Sequence, residues 1–168
     1  MDEEKAKQIL RTTRLYSLKP VHMSYAKWRA LVTVGYVGMC GDLFHAGHLN
    51  ILQTAKMHSR IVVAGVLTDE AIITYKRKPV MPFEERARIV SNIDCVDLVL
   101  PQHSLSYRDN LLLLKPDFLF HGKDWREGVQ RGTREESIAI LEGLGGSVVE
   151  IDCYEGVSTT EVIERIDL

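Results

Sequence analysis

Two histidines separated by an Ala-Gly pair, His45 and His48, are the residues of this sequence whose types and spacing best suit chemistry. An apolar run rich in β-branched residues, Leu31 to Val37, precedes them and predicts a buried strand. Apolar residues at helical spacing follow, so the pair lies where a strand leads through a loop into a helix. Gly47 allows the backbone to come close to a ligand, and helix residues three apart share a face. The spacing therefore predicts two imidazole rings that face one ligand.

A helix N-terminus of this kind favours an anion. Its first N–H groups have no partner within the helix, and the helix dipole attracts negative charge. In nucleotidyl transfer, negative charge builds up on the oxygens of the α-phosphorus while pyrophosphate leaves, and preorganised donors stabilise that transition state by about 3–4 kcal/mol each. Spacing alone leaves two alternatives open: a metal site that also uses Asp42, and histidines with a purely structural role.

The composition is that of an ordinary globular protein, with 168 residues, 45% hydrophobic and 26% charged, and a net charge of −2. The absence of a long basic run argues against nucleic acid as a partner, and no apolar stretch approaches the roughly 18 residues that span a bilayer. Cys40, Cys95 and Cys153 are odd in number and far apart, which predicts free thiols. The charged N-terminus lacks the apolar core of a signal peptide. We therefore expect a cytoplasmic protein with no membrane or nucleic-acid partner.

Strand and helix signals alternate along the chain, which predicts a single-domain α/β fold, a doubly wound parallel sheet over residues 31–168. After the first strand, the further strands are predicted at 60–67, 96–100, 117–121 and 147–151. Residues 1–30 are predicted to form an N-terminal helical extension that precedes this domain. Ligands of such sheets bind at the carboxyl ends of the strands, and the histidine pair follows the first strand.

Cap residues predict where several helices begin. These residues are Thr68, Pro82, Thr133 (with Glu136 in a capping-box pattern) and Ser158 (with Glu161). For the helix that begins at Pro82, the apolar residues predict an inner face of Ile89, Val90 and Ile93. A basic run, Lys76-Arg77-Lys78, lies between two predicted helices, and on composition alone a solvated loop is the favoured interpretation.

The stretch from Val37 to His48, Val-Gly-Met-Cys-Gly-Asp-Leu-Phe-His-Ala-Gly-His, resembles the His-x-Gly-His signature of the cytidylyltransferase-like nucleotidyltransferases. It is most similar to the phosphonate cytidylyltransferases associated with phosphoenolpyruvate mutase, and it also resembles the glycerol-3-phosphate and ethanolamine-phosphate enzymes. The stretch 156–160, Gly-Val-Ser-Thr-Thr, resembles the family's second signature, Gly-Ile-Ser-Thr-Thr. The resemblance runs from about Leu31 to Ile166 and implies a Rossmann-like nucleotidyltransferase fold and a homodimer.

The resemblance also implies roles for individual residues. Catalytic roles are implied for His45, His48 and Lys76. Nucleotide-binding roles are implied for Gly38, Met39, Asp42, Gly47, Asp124, Ser158, Thr159 and Thr160. Contacts with the acceptor are implied for Lys78, Arg86, Trp125 and Arg126. Mg²⁺ is the expected cofactor, held chiefly by the phosphates of CTP rather than by protein side chains, with Asp42 as the candidate protein ligand.

Several of these roles compete with structural ones. A carboxylate such as Asp124 suits the amino group of cytosine, but it is also typical of a polar loop. Trp125 could flank a base, close the acceptor pocket or pack in the core. Arg86 could face the site or form a salt bridge on a helix surface, and Asp42 could orient its loop instead of helping to hold Mg²⁺.

The expected function is transfer of CMP from CTP to a small phosphonate, such as 2-hydroxyethylphosphonate or 2-aminoethylphosphonate, with release of pyrophosphate. The alternatives are a glycerol-3-phosphate or ethanolamine-phosphate cytidylyltransferase, a sugar-phosphate adenylyltransferase, which shares the histidine signature and a Ser-Thr-Thr stretch, and a nucleotide-binding regulatory domain. One departure bears on the choice. The glycerol-phosphate enzymes hold the nucleotide with an arginine in an Arg-Thr-Glu stretch, where this chain has Cys153-Tyr154-Glu155. The histidines that receive no role from their spacing are His22, His58, His103 and His121.

Overall fold

The computed structural model describes residues 31–152, 154 and 156–166. The predicted extension, residues 1–30, and Cys153 lie outside this part of the chain. The described strands form one parallel sheet: β1 (Val34–Met39), β2 (Ile61–Leu67), β3 (Leu98–Gln102), β4 (Phe118–Gly122) and β5 (Ser147–Ile151). The strand order β3-β2-β1-β4-β5 confirms the doubly wound α/β fold, and the order reverses between β1 and β4.

Helices connect the strands. The described α-helices are α1 (Ala46–His58), α2 (Asp69–Ile73), α3 (Phe83–Ser91), α4 (Arg108–Leu114), α5 (Arg131–Leu144) and α6 (Thr159–Ile166). Two short 3₁₀ helices, Lys123–Arg126 and Gly128–Gln130, lie between β4 and α5. Within the described ranges, no helix has the length and apolar character needed to cross a bilayer.

The core lies on both faces of the sheet. Every residue of β1 and β2 is buried, as expected for parallel strands covered by helices on both sides. Successive residues of β1 point to opposite faces. Tyr36 therefore packs in one core cluster with Leu111 of α4, whereas Val37 packs in another with Leu52 of α1 and Val90 of α3. The two clusters hold the carboxyl ends of β1 and β4 in place beside each other.

Two sequence-based expectations about the helices are wrong. α5 begins at Arg131 rather than at the predicted capping box, because the carboxylate of Glu136 accepts a hydrogen bond from Ser106 Oγ at 2.6 Å instead of capping the helix. On α3, Ile89 is 38% exposed although the periodicity predicts it on the inner face. Arg86 is buried there instead, because its guanidinium finds polar partners in neighbouring loops.

A buried hydrogen-bond network joins β1, β3 and α4. Tyr36 Oη donates to Gln102 Oε1 at 2.7 Å and accepts from Asn110 Nδ2 at 2.8 Å. Tyr36 is completely buried, and burial raises the pKa of its phenol well above the ordinary value. Buried polar groups need partners, so the network fixes the position of β1 against α4.

We expect Tyr36→Phe to lower the free energy of unfolding by about 1–3 kcal/mol, because Gln102 Oε1 loses its buried donor. Denaturant-induced unfolding measures the change. Tyr154→Phe is the matched control, since Tyr154 is exposed and its loss of a hydroxyl should change stability by less than about 0.5 kcal/mol. Equal unfolding midpoints for the two variants would contradict the importance of the network.

Candidate active site

The loop after β1 turns the chain into α1. Its backbone is left-handed at Gly41 (φ 68°) and at Leu43 (φ 46°), which makes the tight turn that the loop needs. His45 is the N-cap residue of α1, and its Nδ1 atom accepts a hydrogen bond from the N–H of Gly47 at 3.1 Å. His48 Nδ1 in turn accepts from the N–H of His45 at 3.3 Å. The two histidines therefore cap the helix reciprocally.

These hydrogen bonds assign the proton on each ring. A ring nitrogen that accepts from a backbone N–H carries no proton, so the proton of each neutral imidazole lies on Nε2. Burial lowers the pKa of His45, and burial, with smaller contributions from the neighbouring His45 ring and from the charge of Lys76, lowers the pKa of His48 to about 3. The ring centroids are 4.0 Å apart. Near neutral pH the site therefore presents two uncharged Nε2–H donors side by side.

Two glycines of the signature are required by packing. A Cβ atom at Gly47 would lie 3.0 Å from Nδ1 of His45 and would press on the capping ring. A Cβ atom at Gly38 would lie 2.0 Å from Cε1 of Tyr107. Gly38 and Met39 also line the cleft described below, so these predicted nucleotide-binding residues do lie at the site.

The N-terminus of α6 lies beside the histidine pair. Thr159 Oγ1 donates to the carbonyl oxygen of Asp42 at 3.3 Å and lies 3.5 Å from His45 Nε2. Ser158 Oγ accepts from the N–H of Glu161 at 3.2 Å, as the sequence predicts for a helix cap. The two signatures therefore meet in space although 114 positions separate His45 from Thr159. The next residue, Thr160, is exposed at the same helix end.

The Asp42 carboxylate holds the loop between α2 and α3. It accepts from the backbone N–H groups of Val80 and Met81, each at 3.0 Å, and pairs with the Arg77 guanidinium at 3.3 Å. Asp42 is only 2% exposed, so its oxygens are occupied by protein donors rather than open to a metal ion. The geometry therefore favours loop orientation over Mg²⁺ binding as the role of Asp42.

Arg86, on α3, also contacts this loop. Its side chain has no exposed surface, and its guanidinium donates to the carbonyl oxygens of Cys40 and Met81 and pairs with Asp69. Arg86 is therefore neither a surface salt bridge nor, in this conformation, open to an acceptor. It joins the loop after β1 to the loop before α3, and this corrects the expected acceptor contact.

Lys76 and Lys78 lie in the loop that Asp42 holds, and both side chains are exposed. In the described part of the chain, neither ammonium group has an ion-pair partner. Lys76 lines the same cleft as His48, and its charge also contributes to the lowered pKa of both histidines. The structure therefore brings Lys76 and the histidine pair together.

The stretch after β4 differs from expectation. Trp125 is completely buried and donates from Nε1 to Glu150 Oε1 at 2.8 Å, so it packs in the core rather than flanking a base or an acceptor. The Arg126 guanidinium pairs with Glu150, which Arg134 also contacts. Hydrogen bonds from Arg134 and Arg126 hold the pKa of Glu150 well below its ordinary value. Trp125 and Arg126 are therefore committed to Glu150, which corrects their predicted contacts with the acceptor.

A family model described as cytidylyltransferase-like matches residues 37–165. The chain belongs to the cytidylyltransferase-like family. Among curated relatives, the bifunctional protein HldE of Granulibacter bethesdensis is 31% identical over 145 residues, covering 83% of this chain and 28% of the relative. HldE of Pelobacter propionicus is 35% identical over 130 residues, covering 76% and 25%. The chain thus spans about a quarter to a third of the length of such relatives.

Solved structures show the same fold. A lipopolysaccharide core biosynthesis protein from Thermoplasma volcanium superposes with a TM-score of 0.64 at 21% identity, covering 74% of this chain and 99% of that one. Pantothenate synthetase from Thermus thermophilus gives a TM-score of 0.54 at 18% identity, covering 82% and 64%. At these identities the likeness concerns the fold alone, which is the α/β nucleotidyltransferase type.

In this cytidylyltransferase-like chain a cleft opens at the carboxyl ends of β1, β2 and β4. His48 and Lys76 line it, and so does Asp124, whose side chain is 66% exposed. The cleft is also lined by Tyr75, Tyr107, His121 and Gln130, to which sequence reasoning gave no role. No spacing pattern connects these four residues, because the fold brings them together from different elements of the chain.

We expect Asp42→Ala to loosen the lysine loop, because the N–H groups of Val80 and Met81 lose a buried acceptor that contributes about 1–3 kcal/mol. Trypsin can probe this loop, since it cleaves after Lys76 and Arg77, whereas the bond between Lys78 and Pro79 is resistant. Cleavage there should accelerate by about tenfold or more, measured by mass spectrometry under native conditions.

Glu70→Ala is the control for this experiment, since Glu70 is an exposed acidic residue of α2 close to the same loop. It should leave the cleavage rate unchanged. Equal rates in the Asp42 and Glu70 variants would show that the carboxylate of Asp42 does not hold the loop.

Proposed function

We propose that this chain transfers the adenylyl group of ATP to the phosphate of a sugar phosphate and releases pyrophosphate. The observation that carries nucleotidyl transfer is the pair of Nε2–H donors at the N-terminus of α1, beside the hydroxyl groups at the start of α6. The choice of branch is supported by the HldE relatives. Cys153 stands where the glycerol-phosphate cytidylyltransferases carry an arginine that holds their nucleotide, and this departure weighs against that group of enzymes.

The geometry suits an in-line displacement. The β- and γ-phosphates would lie at the start of α6, near Ser158 and Thr159, where free N–H groups and hydroxyls favour anions. An oxygen of the acceptor phosphate would attack the α-phosphorus, and the bond from that phosphorus to the bridging oxygen would break as pyrophosphate leaves with the electron pair. The acceptor is already an anion, so no proton has to be removed from it.

The side chains then act by position and charge. His45 and His48 would donate to the oxygens of the α-phosphate, where charge develops in the transition state. Lys76, whose ammonium group has no ion-pair partner in the described ranges, would offset the repulsion between the two anionic substrates. Mg²⁺ would enter on the triphosphate as part of the substrate. The homodimer that the family resemblance implies stays a prediction.

Transfer of CMP from CTP to a small phosphonate is the second candidate. The observation that favours it is the stretch 125–131, Trp-Arg-Glu-Gly-Val-Gln-Arg, which resembles the phosphonate-associated group. The pairing of Arg126 with Glu150 weighs against a direct contact between this arginine and the phosphonate.

The test is pyrophosphate release from ATP and CTP, each with a panel of acceptors. The panel contains sugar 1-phosphates, glycerol 3-phosphate, ethanolamine phosphate, 2-hydroxyethylphosphonate and 2-aminoethylphosphonate. We expect the highest kcat/KM for ATP with a sugar phosphate. The highest value for CTP with a phosphonate would replace the proposal by the second candidate. Tight nucleotide binding without pyrophosphate release from any pair would favour a regulatory domain.

We expect His48→Asn to lower kcat by about 10²–10³, because the outward Nε2–H donor is lost. The asparagine carbonyl can still accept from the N–H of His45, so the cap of α1 is kept. His48→Gln, whose amide N–H reaches farther, should retain more activity. His58→Asn is the control at the other end of α1, where His58 Nδ1 lies 2.9 Å from the carbonyl oxygen of Thr54. A wild-type kcat in His48→Asn would remove the proposed role of this residue.

A further inference from the structure

His121, near the end of β4, brings to the cleft a group that the mechanism above does not use. Its Nδ1 atom lies 2.8 Å from the carbonyl oxygen of Gly122. A carbonyl oxygen only accepts hydrogen bonds, so Nδ1 carries the proton and Nε2 has the lone pair. This is the opposite assignment from His45 and His48, whose Nε2 atoms donate.

The ring of His121 is held in place. One face stacks on Trp125 with the ring centroids 4.1 Å apart and the planes within 4°. The ring of Tyr107 meets it edge-on at 6.0 Å. Trp125 is itself buried and bonded to Glu150. Burial lowers the pKa of His121, so the ring is neutral near pH 7 and its Nε2 is available as an acceptor.

The Nε2 atom of His121 is open to the cleft. In the described ranges it has no hydrogen-bond partner, and it is not among the polar atoms that the protein encloses. The side chain as a whole is only 12% exposed. The carboxylate of Asp124 lies 3.6 Å from Nδ1 and also lines the cleft, and the charges of Asp124 and Glu150 both act on the ring. Nε2 of His121 and the carboxylate of Asp124 are therefore acceptors that line the cleft, and they favour a ligand group that donates.

The direction of the displacement places the acceptor substrate in this cleft. If pyrophosphate leaves toward Ser158 and Thr159, the attacking oxygen must approach the α-phosphorus from the opposite direction. Tyr107 and His121 line the cleft together with His48 and Lys76, whereas no described residue of α6 lines it. Phosphate oxygens at Lys76 accept hydrogen bonds, so the donor that reaches His121 must come from the remainder of the acceptor.

We propose that Nε2 of His121 accepts a hydrogen bond from a hydroxyl group of the acceptor substrate and so selects acceptors that carry a hydroxyl beside the reacting phosphate or phosphonate. The inference rests on the proposed function and adds a residue that determines acceptor specificity. It applies to sugar phosphates and to hydroxyalkyl phosphonates alike, because the chemistry that His121 recognises is the hydroxyl itself.

The experiment compares acceptors that differ in hydroxyl groups. The pairs are glucose 1-phosphate with cyclohexyl phosphate, glycerol 3-phosphate with propyl phosphate, and 2-hydroxyethylphosphonate with ethylphosphonate. We expect the wild-type chain to prefer the hydroxylated member of its working pair by about 10²-fold or more in kcat/KM. In His121→Phe, which keeps an aromatic ring on Trp125 but has no lone pair, the preference should fall below about fivefold. The KM for the nucleotide should change by less than about twofold.

Two further variants separate recognition from folding. His121→Asn can still donate to the Gly122 carbonyl but is too short to place an acceptor at the Nε2 position, so it should lose the preference as the phenylalanine variant does. His121→Gln can place its carbonyl oxygen there and should restore part of the preference. Circular dichroism and thermal unfolding check that each variant is folded, and the asparagine variant carries the test if the phenylalanine variant does not fold.

Three outcomes would overturn the inference. A wild-type preference for hydroxylated acceptors in folded His121→Phe or His121→Asn would remove His121 from recognition. A changed preference between ATP and CTP with an unchanged acceptor preference would identify a contact with the base instead. Absence of wild-type turnover with every nucleotide and acceptor would defeat the proposed function and this inference together, whereas the first two outcomes leave the proposed function standing.

Discussion

The backbone hydrogen bonds at the start of α1 are the constraint on which the site depends. The N–H groups of Gly47 and His45 find their acceptors in Nδ1 of His45 and Nδ1 of His48. Without such partners at the first turn of the helix, the free energy of unfolding would fall by about 0.5–2 kcal/mol. Because Nδ1 accepts in both bonds, it carries no proton, and the proton of each neutral ring lies on Nε2. Helix capping and outward donation are therefore one arrangement, and neither histidine can exchange its tautomer without losing its bond to the backbone.

Two buried side chains fix the position of the lysine-containing loop relative to the loop after β1. Asp42 reaches from the loop after β1 to the N–H groups of Val80 and Met81, while Arg86 reaches back from α3 to the carbonyl oxygen of Cys40. Each side chain is almost fully buried, and each charge has an opposite charge beside it, in Arg77 and Asp69 respectively. A buried charge that lost its partner would be strongly destabilising, so the two loops are expected to hold one relative position. Lys76 acts at the histidine pair from the loop that this arrangement fixes.

The fold and the positions of the two signatures at helix N-termini could be predicted from the sequence because their causes are local. An apolar β-branched run forms a buried strand wherever helices cover it, and Ser158 caps the helix that begins at the next residue. Arg86 could not be placed in this way. In the context Glu84-Glu85-Arg86 it resembles an exposed helix residue, and its partners Asp69 and Cys40 lie 17 and 46 positions away.

The roles of Trp125 and His121 could not be predicted from the sequence either, although their partners lie closer along the chain. Trp125 is withdrawn from the cleft by Glu150, which lies 25 positions along the chain on the neighbouring strand. The proton of His121 is assigned by a backbone carbonyl, and no sequence pattern reports which way a ring will turn toward its own backbone. Residues whose roles depend on long-range pairing, or on one torsion of a side chain, therefore escape a prediction based on spacing.

Three neutral histidines at one site thus differ in whether their Nε2 atom donates or accepts a hydrogen bond, because their Nδ1 atoms have different backbone partners. An N–H partner leaves His45 and His48 as donors, and a C=O partner leaves His121 as an acceptor. Burial keeps all three uncharged near neutral pH, so this pattern of donors and acceptors does not change through that range. A phosphate can only accept at one end of the cleft, and a hydroxyl can donate at the other. The α-phosphate of the nucleotide would be held at one end and a hydroxyl group of the acceptor at the other, so the two substrates would be oriented relative to each other before any charge moves, as in-line displacement requires.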